Sequence, residues 1–115
     1  MHAQYLGPVD ARPDPSLMFI DLSRYPASCY LMRAGDDAGV GGPVFEGDVL
    51  VVDEARHPSH GDLAVIMIDG VREVFQTLRV GPQFRFQPVG GGASRRIKPD
   101  LVLGVVVSLV RRCAA

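Results

Sequence analysis

Leu63-Ala64-Val65-Ile66-Met67-Ile68-Asp69-Gly70-Val71-Arg72-Glu73-Val74-Phe75-Gln76-Thr77-Leu78 is the stretch whose reading sets the fold. An unbroken apolar run ends at Asp-Gly, and a second run of strand-forming residues leaves it. Asp-Gly between two such runs is the strongest short-range signal for a β-hairpin, because a two-residue type I′ turn needs positive φ at both central positions. The return strand places Val71, Glu73, Phe75 and Thr77 on one face and Arg72, Val74, Gln76 and Leu78 on the other. Neither face is cleanly apolar, so the turn carries the assignment more than the alternation does.

Outward from the hairpin, the chain continues as short β-type runs separated by turn residues. Upstream lie Leu17 to Ile20, Cys29 to Met32, and Val49 to Val52 directly after Gly47-Asp48. Downstream, Gly81-Pro82 marks a turn, and Phe84 and Phe86 alternate with Arg85 and Gln87 as in a half-exposed strand. Pro88 to Pro99, with three consecutive glycines at 90–92, reads as a flexible loop. Leu101 to Val110 is the longest apolar run, and its valines favour a strand over a helix. The only helical candidate is a turn near Asp21 to Tyr25. Residues 1–16, with Gly7, Pro8, Pro13 and Pro15, read as a polar, irregular arm outside the core. The pattern predicts an all-β domain built on a small, twisted, mostly antiparallel sheet.

The bulk properties bound the function. A length of 115 residues fits one domain, and 47% hydrophobic residues suffice for one compact core. Twelve basic against 13 acidic residues leave a net charge of -1, with no general pull toward nucleic acid or anionic lipid. The basic clusters Arg95-Arg96-Ile97-Lys98 and Arg111-Arg112 are short and read as solvated charge. Cys29 and Cys113 form neither a disulfide framework nor a CxxC site. No signal peptide and no apolar run near the roughly 20 residues of a membrane span are visible. The expectation is a cytoplasmic protein without membrane contact.

Candidate chemistry is thin. His57, Ser59, His60 and Asp62 cluster in one connector, but triad members normally come from separated segments, and no fourth metal ligand stands out. They read as a polar turn. The glycine runs at 39–42 and 90–92 lack the Lys-Ser/Thr of a phosphate loop. Asp36 and Asp37 read as turn acids. No cofactor and no metal are expected.

Several of these segments, in order, resemble a known family. Ser59-His60-Gly61-Asp62-Leu63-Ala64-Val65, with Ile68-Asp69-Gly70 and the strand that follows, looks like UmuD. Gly47-Asp48-Val49-Leu50-Val51-Val52-Asp53 is similar to a strand of UmuD and LexA, and Ala27-Ser28-Cys29-Tyr30-Leu31-Met32-Arg33-Ala34-Gly35-Asp36 to the strand that enters the nucleophile. Asp14-Pro15-Ser16-Leu17 and Val102-Leu103-Gly104-Val105-Val106 fit the ends. The resemblance implies a β-clip-like domain over residues 14–115 behind an arm at 1–13.

These relatives are Ser–Lys self-cleaving peptidases, and by this alignment both catalytic positions are substituted. The serine that follows Gly-Asp becomes Asp37, followed by Ala38, and the general-base lysine becomes Phe75. A serine needs a base to take its proton, and lysine serves only when burial keeps it neutral; phenylalanine accepts no proton. Lys98, the only lysine, sits beside Pro99. The arm holds Leu6-Gly7 where the family cuts Ala-Gly or Cys-Gly. The turn between Asp37 and Gly47-Asp48 is one residue longer than the family's, with Pro43 near the insertion. The resemblance thus implies an inactive, homodimeric accessory protein of SOS-type DNA-damage tolerance. Its implied partners are a Y-family translesion polymerase subunit and the RecA filament, with no direct nucleic-acid binding. The alternatives are a decoy that forms mixed dimers with an active relative, or a peptidase with a relocated dyad. Asp37 is expected to cap its own turn and Phe75 to fill the space of a lysine stem. Dimerisation is assigned to the Leu101–Val110 strand.

Overall fold

The computed structural model describes residues 1–10, 17, 20–39 and 42–111. Its strands are β1 (Ala3–Pro8), β2 (Cys29–Ala34), β3 (Val49–Asp53), β4 (Leu63–Ile68), β5 (Val71–Val80), β6 (Gln83–Pro88) and β7 (Val102–Val110). They form one antiparallel sheet in the order β1-β2-β3-β7-β4-β5-β6. The expected all-β class is what the chain adopts, with 3-10 turns and no α-helix among the described residues.

The hairpin stands where the sequence put it. Asp69 and Gly70 have φ of 50° and 79°, the pair of positive values a type I′ turn requires, and Ile68 faces Val71 across it. The sheet rolls until the residues before β1 reach β5: the Val74 N–H donates to the Met1 carbonyl at 2.8 Å, and His2 bridges to Glu73. Met1, Tyr30, Met32, Leu50, Val52, Val65 and Val74 pack together in one core. A second cluster, Cys29, Leu31, Val49 and Val51, lies beneath Leu17, Ile20, Leu22 and Tyr25. A third, Ala64, Ile66, Phe75 and Phe86, is covered by Ile97 and Val102. These second and third layers explain why β5 shows no clean alternation: Val74 and Phe75 point to opposite faces and both are buried.

Several expectations change. The arm is not outside the core: Ala3–Pro8 pairs with β2, and Met1 and Val9 are buried. Gly7 and Pro8 read as turn residues, but an edge strand tolerates both. Gly7 sits at a register shift, and proline at an edge loses no ladder bond. In place of a strand at Leu17 to Ile20, the Ile20 N–H donates to the Leu17 carbonyl at 3.1 Å, and Leu17 is buried. The 88–99 loop is tied down where Arg95 pairs with Phe86 through two backbone bonds. β7 is flanked by β3 and β4, but β4 pairs only with residues 102–105 of it, while residues 106–110 pair with β3 alone in the sheet. The helical turn is present as Leu22–Arg24, capped by the Asp21 carboxylate, which accepts from the Ser23 N–H. Residues 11–16, Met18, Phe19, Val40, Gly41, Arg112 and Cys113 lie outside the described residues, and with them the Asp14-Pro15-Ser16 match and one cysteine. No helix among the described residues is long and apolar enough to cross a membrane.

Candidate functional site

β2 ends at Ala34, and a 3-10 turn over Asp36–Ala38 follows at once. This turn packs against the loop after β6. A side chain at Gly90 would collide with the Asp37 carbonyl oxygen, and Gly90 has φ of 99°, so only glycine lets the two backbones approach.

The Asp37 carboxylate faces residue 2. Both of its oxygens lie 3.0 Å from the His2 N–H, and Oδ2 lies 2.7 Å from His2 Nδ1. His2 Nε2 is 3.4 Å from Glu73 on β5, and Glu73 is 3.9 Å from Arg95. The Arg95 guanidinium lies 5.3 Å from the centre of the Phe75 ring. A protonated His2 ring donates to both acids at once. A polar chain thus runs from the Asp37 turn across residue 2 to the face of β5 that carries Phe75. Burial pushes the Asp37 carboxyl up. The His2 N–H and the positive charges of the chain start and of His2 outweigh this and hold it below the usual carboxylate range.

Asp37 therefore caps a segment 35 residues away in sequence, and its own backbone N–H also helps to hold its carboxylate ionised. Phe75 is fully buried, packed with Ala64, Ile66 and Phe86. The chemistry at these two positions is that of a hydrogen-bond acceptor and a hydrocarbon. Lys98 precedes the 3-10 turn Pro99–Leu101 and borders a groove with Ile68 and Leu101 that does not include Asp37.

The His57–Asp62 connector divides its groups among separate tasks. Asp62 accepts from the Ser59 N–H at 2.8 Å, His60 Nδ1 accepts from the Arg79 N–H at 2.9 Å, and His57 borders a separate apolar cleft. Among the described residues no three His, Cys, Asp or Glu side chains gather closely enough to hold a metal ion.

Sequence reasoning missed two residues. His2 was assigned to the arm, and nothing local marks it as a partner of Asp37. Arg111 was read as solvated charge. It instead grips the buried Asp48 through two bonds of 2.8 and 2.7 Å and stacks 4.4 Å from the Phe45 ring. Burial pushes the Asp48 carboxyl up, but Arg111 and the Phe45 N–H hold it below the usual range. An Asp before a strand and an Arg after the last one is the available signal, and it gives no register.

A rolled antiparallel sheet, with a Gly-Asp turn leaving β2 and a β4–β5 hairpin carrying the facing strand, is the build of a UmuD-type C-terminal domain. No protein-family profile matches the chain. Among curated proteins, Protein ImpA of Escherichia coli and that of Salmonella typhimurium are each 33% identical to it over 100 residues, 81% of this chain and 68% of the relative. Protein SamA of Salmonella typhimurium is 28% identical over 98 residues, 81% of this chain and 69% of the relative. The chain belongs to the UmuD family.

Proposed function

We propose that this chain is a catalytically inactive UmuD-like protein that acts by binding partners, as a homodimeric accessory subunit of SOS-type DNA-damage tolerance. Its partners on this reading are a Y-family translesion polymerase subunit and the RecA filament. The reading of inactivity rests above all on one observation: the Asp37 carboxylate, at the position of the family's nucleophile, is occupied by the His2 N–H and imidazole. Phe75, at the position of the base, supports it. A lysine there would bury an amine among Ala64, Ile66 and Phe86, and phenylalanine can neither lose nor accept a proton. Membership of the UmuD family supports the setting in DNA-damage tolerance. For self-association the outermost strands of the sheet are β1 and β6, and a strand edge is the usual template for pairing with a second chain.

Two measurements test this. Incubation at mildly alkaline pH, which deprotonates the lysine of active relatives and drives their self-cleavage, should leave the mass of this chain unchanged; a discrete shorter product overturns the inactive reading. Co-purification should recover a translesion polymerase, and its absence from repeated pull-downs removes the partner reading while leaving the first result intact.

A further inference from the structure

β5 is covered differently along its two halves. On the edge turned away from β4, β6 pairs with residues 75–80 and leaves residues 71–74. The chain start meets that half instead: His2 bridges to Glu73, and the Val74 N–H donates to the Met1 carbonyl at 2.8 Å. An exposed histidine thus sits where the rolled sheet closes.

The His2 ring meets a carboxylate at each nitrogen, and the two acids belong to different elements. Nδ1 lies 2.7 Å from Asp37 Oδ2 on the 3-10 turn, and Nε2 lies 3.4 Å from Glu73 Oε1 on β5. The other charges around this pair of contacts are three. The amino group of the chain start faces Asp37, Arg95 lies 3.9 Å from the second oxygen of Glu73, and Asp36 stands beside Asp37 in the turn. An imidazolium donates from both ring nitrogens, whereas a neutral imidazole keeps one N–H and presents a lone pair at the other. The remaining proton stays at Nδ1, where the acceptor is nearer. Nε2 then aims its lone pair at a carboxylate. Deprotonation turns a donated bond at Glu73 into a repulsion and leaves the Asp37 bond in place.

We infer that His2 is a pH-operated clasp: protonated, it holds the chain start on the half of β5 that β6 leaves, and on losing its proton it releases Glu73 and opens that edge while its tie to the Asp37 turn persists. Histidine is the side chain whose charge changes near neutral pH. The bond donated to Glu73 exists only while Nε2 carries a proton, so the clasp is closed in mild acid and loosens as pH rises. The effect is modest in size. The His2 ring is exposed, and Arg95 remains beside Glu73 once the imidazolium is gone. What opens is backbone: the Val74 N–H loses its acceptor, and an unpaired strand edge is a template for pairing with another chain. These contacts are the same whether or not the chain cleaves peptides.

The test is amide hydrogen exchange of the full isotope-labelled chain, followed by NMR from about pH 5.5 to about pH 8 and corrected for the intrinsic exchange rate. Protection of the Val74 amide should fall about threefold as the His2 ring titrates, read from the ring's own carbon-bound protons, while the amides of the β2–β3 ladder hold. His2→Gln should remove the step and leave Val74 at its high-pH level. Glu73→Gln should remove it as well, because a neutral amide accepts from a protonated Nε2 and donates to a bare one. His57→Gln with His60→Gln should leave the step unchanged. Val74 protection that is constant with pH, a step that survives His2→Gln or disappears with the other two histidines, or an equal fall throughout the β2–β3 ladder would each overturn the inference.

Discussion

Asp37 and Asp48 lie at the two ends of one turn-rich stretch and do the same formal work. Each carboxylate accepts a backbone N–H and meets a basic side chain, and each fastens a distant part of the chain: residue 2 at Asp37, residue 111 at Asp48. Their surroundings differ. The Asp48 side chain is 2% exposed, whereas Asp37 is 39% exposed with a partner histidine 61% exposed. Water competes for every bond Asp37 makes and for almost none that Asp48 makes. The same set of contacts is therefore a structural tie at one end and a weakly held, changeable position at the other. On the proposed reading, the changeable end is the one aligned with the family's nucleophile.

The largest effect that could break this comparison is at the buried end. Asp48→Ala should cost about 2–3 kcal/mol, the figure for a buried pair discounted because Arg111 is partly exposed, read as a lower urea midpoint with unchanged slope. A loss no greater than that of Asp37→Ala would show that burial does not separate the two sites.

Acid sharpens the same contrast. Both carboxyls sit below the ordinary aspartate value of 3.8 in the folded chain. Each therefore contributes stability that is present above that value and lost as pH falls through the folded pKa. The melting temperature should hold down to about pH 4 and then drop, and Asp48→Asn should flatten that drop more than Asp37→Asn does.

A buried group without a partner supplies the third comparison. Among the described residues the Tyr30 hydroxyl meets no hydrogen-bond partner of good geometry, with the Arg72 guanidinium close by. Burial, partly opposed by the nearby Arg72 guanidinium, pushes its pKa from 10.0 up to about 12. A raised pKa gives the opposite sign: stability is intact below 10.0 and lost as pH rises toward about 12. Tyr30→Phe should change stability at neutral pH by less than about 1 kcal/mol, and thermal melts in base should show this part of the alkaline loss gone. The smallest effect is Asp37→Ser, expected within about 1 kcal/mol by chemical denaturation, because its ion pair is largely solvated.

How much of this was legible follows from the range of each interaction. The β4–β5 hairpin could be read because its signal is local: Asp-Gly sets its own backbone angles whatever surrounds it. The same holds for the Asp21 cap, whose partner is two residues away. Asp37 and Phe75 could be located from their spacing to Gly35-Asp36 and to Asp69-Gly70, and it is the resemblance that implies they replace a catalytic pair. What Asp37 touches was not legible, because its partner sits 35 residues upstream in a segment whose glycine and proline mimic a loop. Arg111 was hidden for the same reason, at 63 residues from Asp48.

By itself, then, the sequence determined an all-β chain, its central hairpin, most of its strands, and the residue types at positions 37 and 75, an aspartate and a phenylalanine. Each of these is written in residue type and near-neighbour spacing. Only the tertiary structure decided that β7 lies between β3 and β4, that the first residues close the sheet against β5, and that one aspartate is buried with its arginine while the other stays wet. Those outcomes depend on which surfaces meet when the sheet rolls, and burial, which sets the strength of every polar contact, is a property of the whole packed chain and of no local stretch of it.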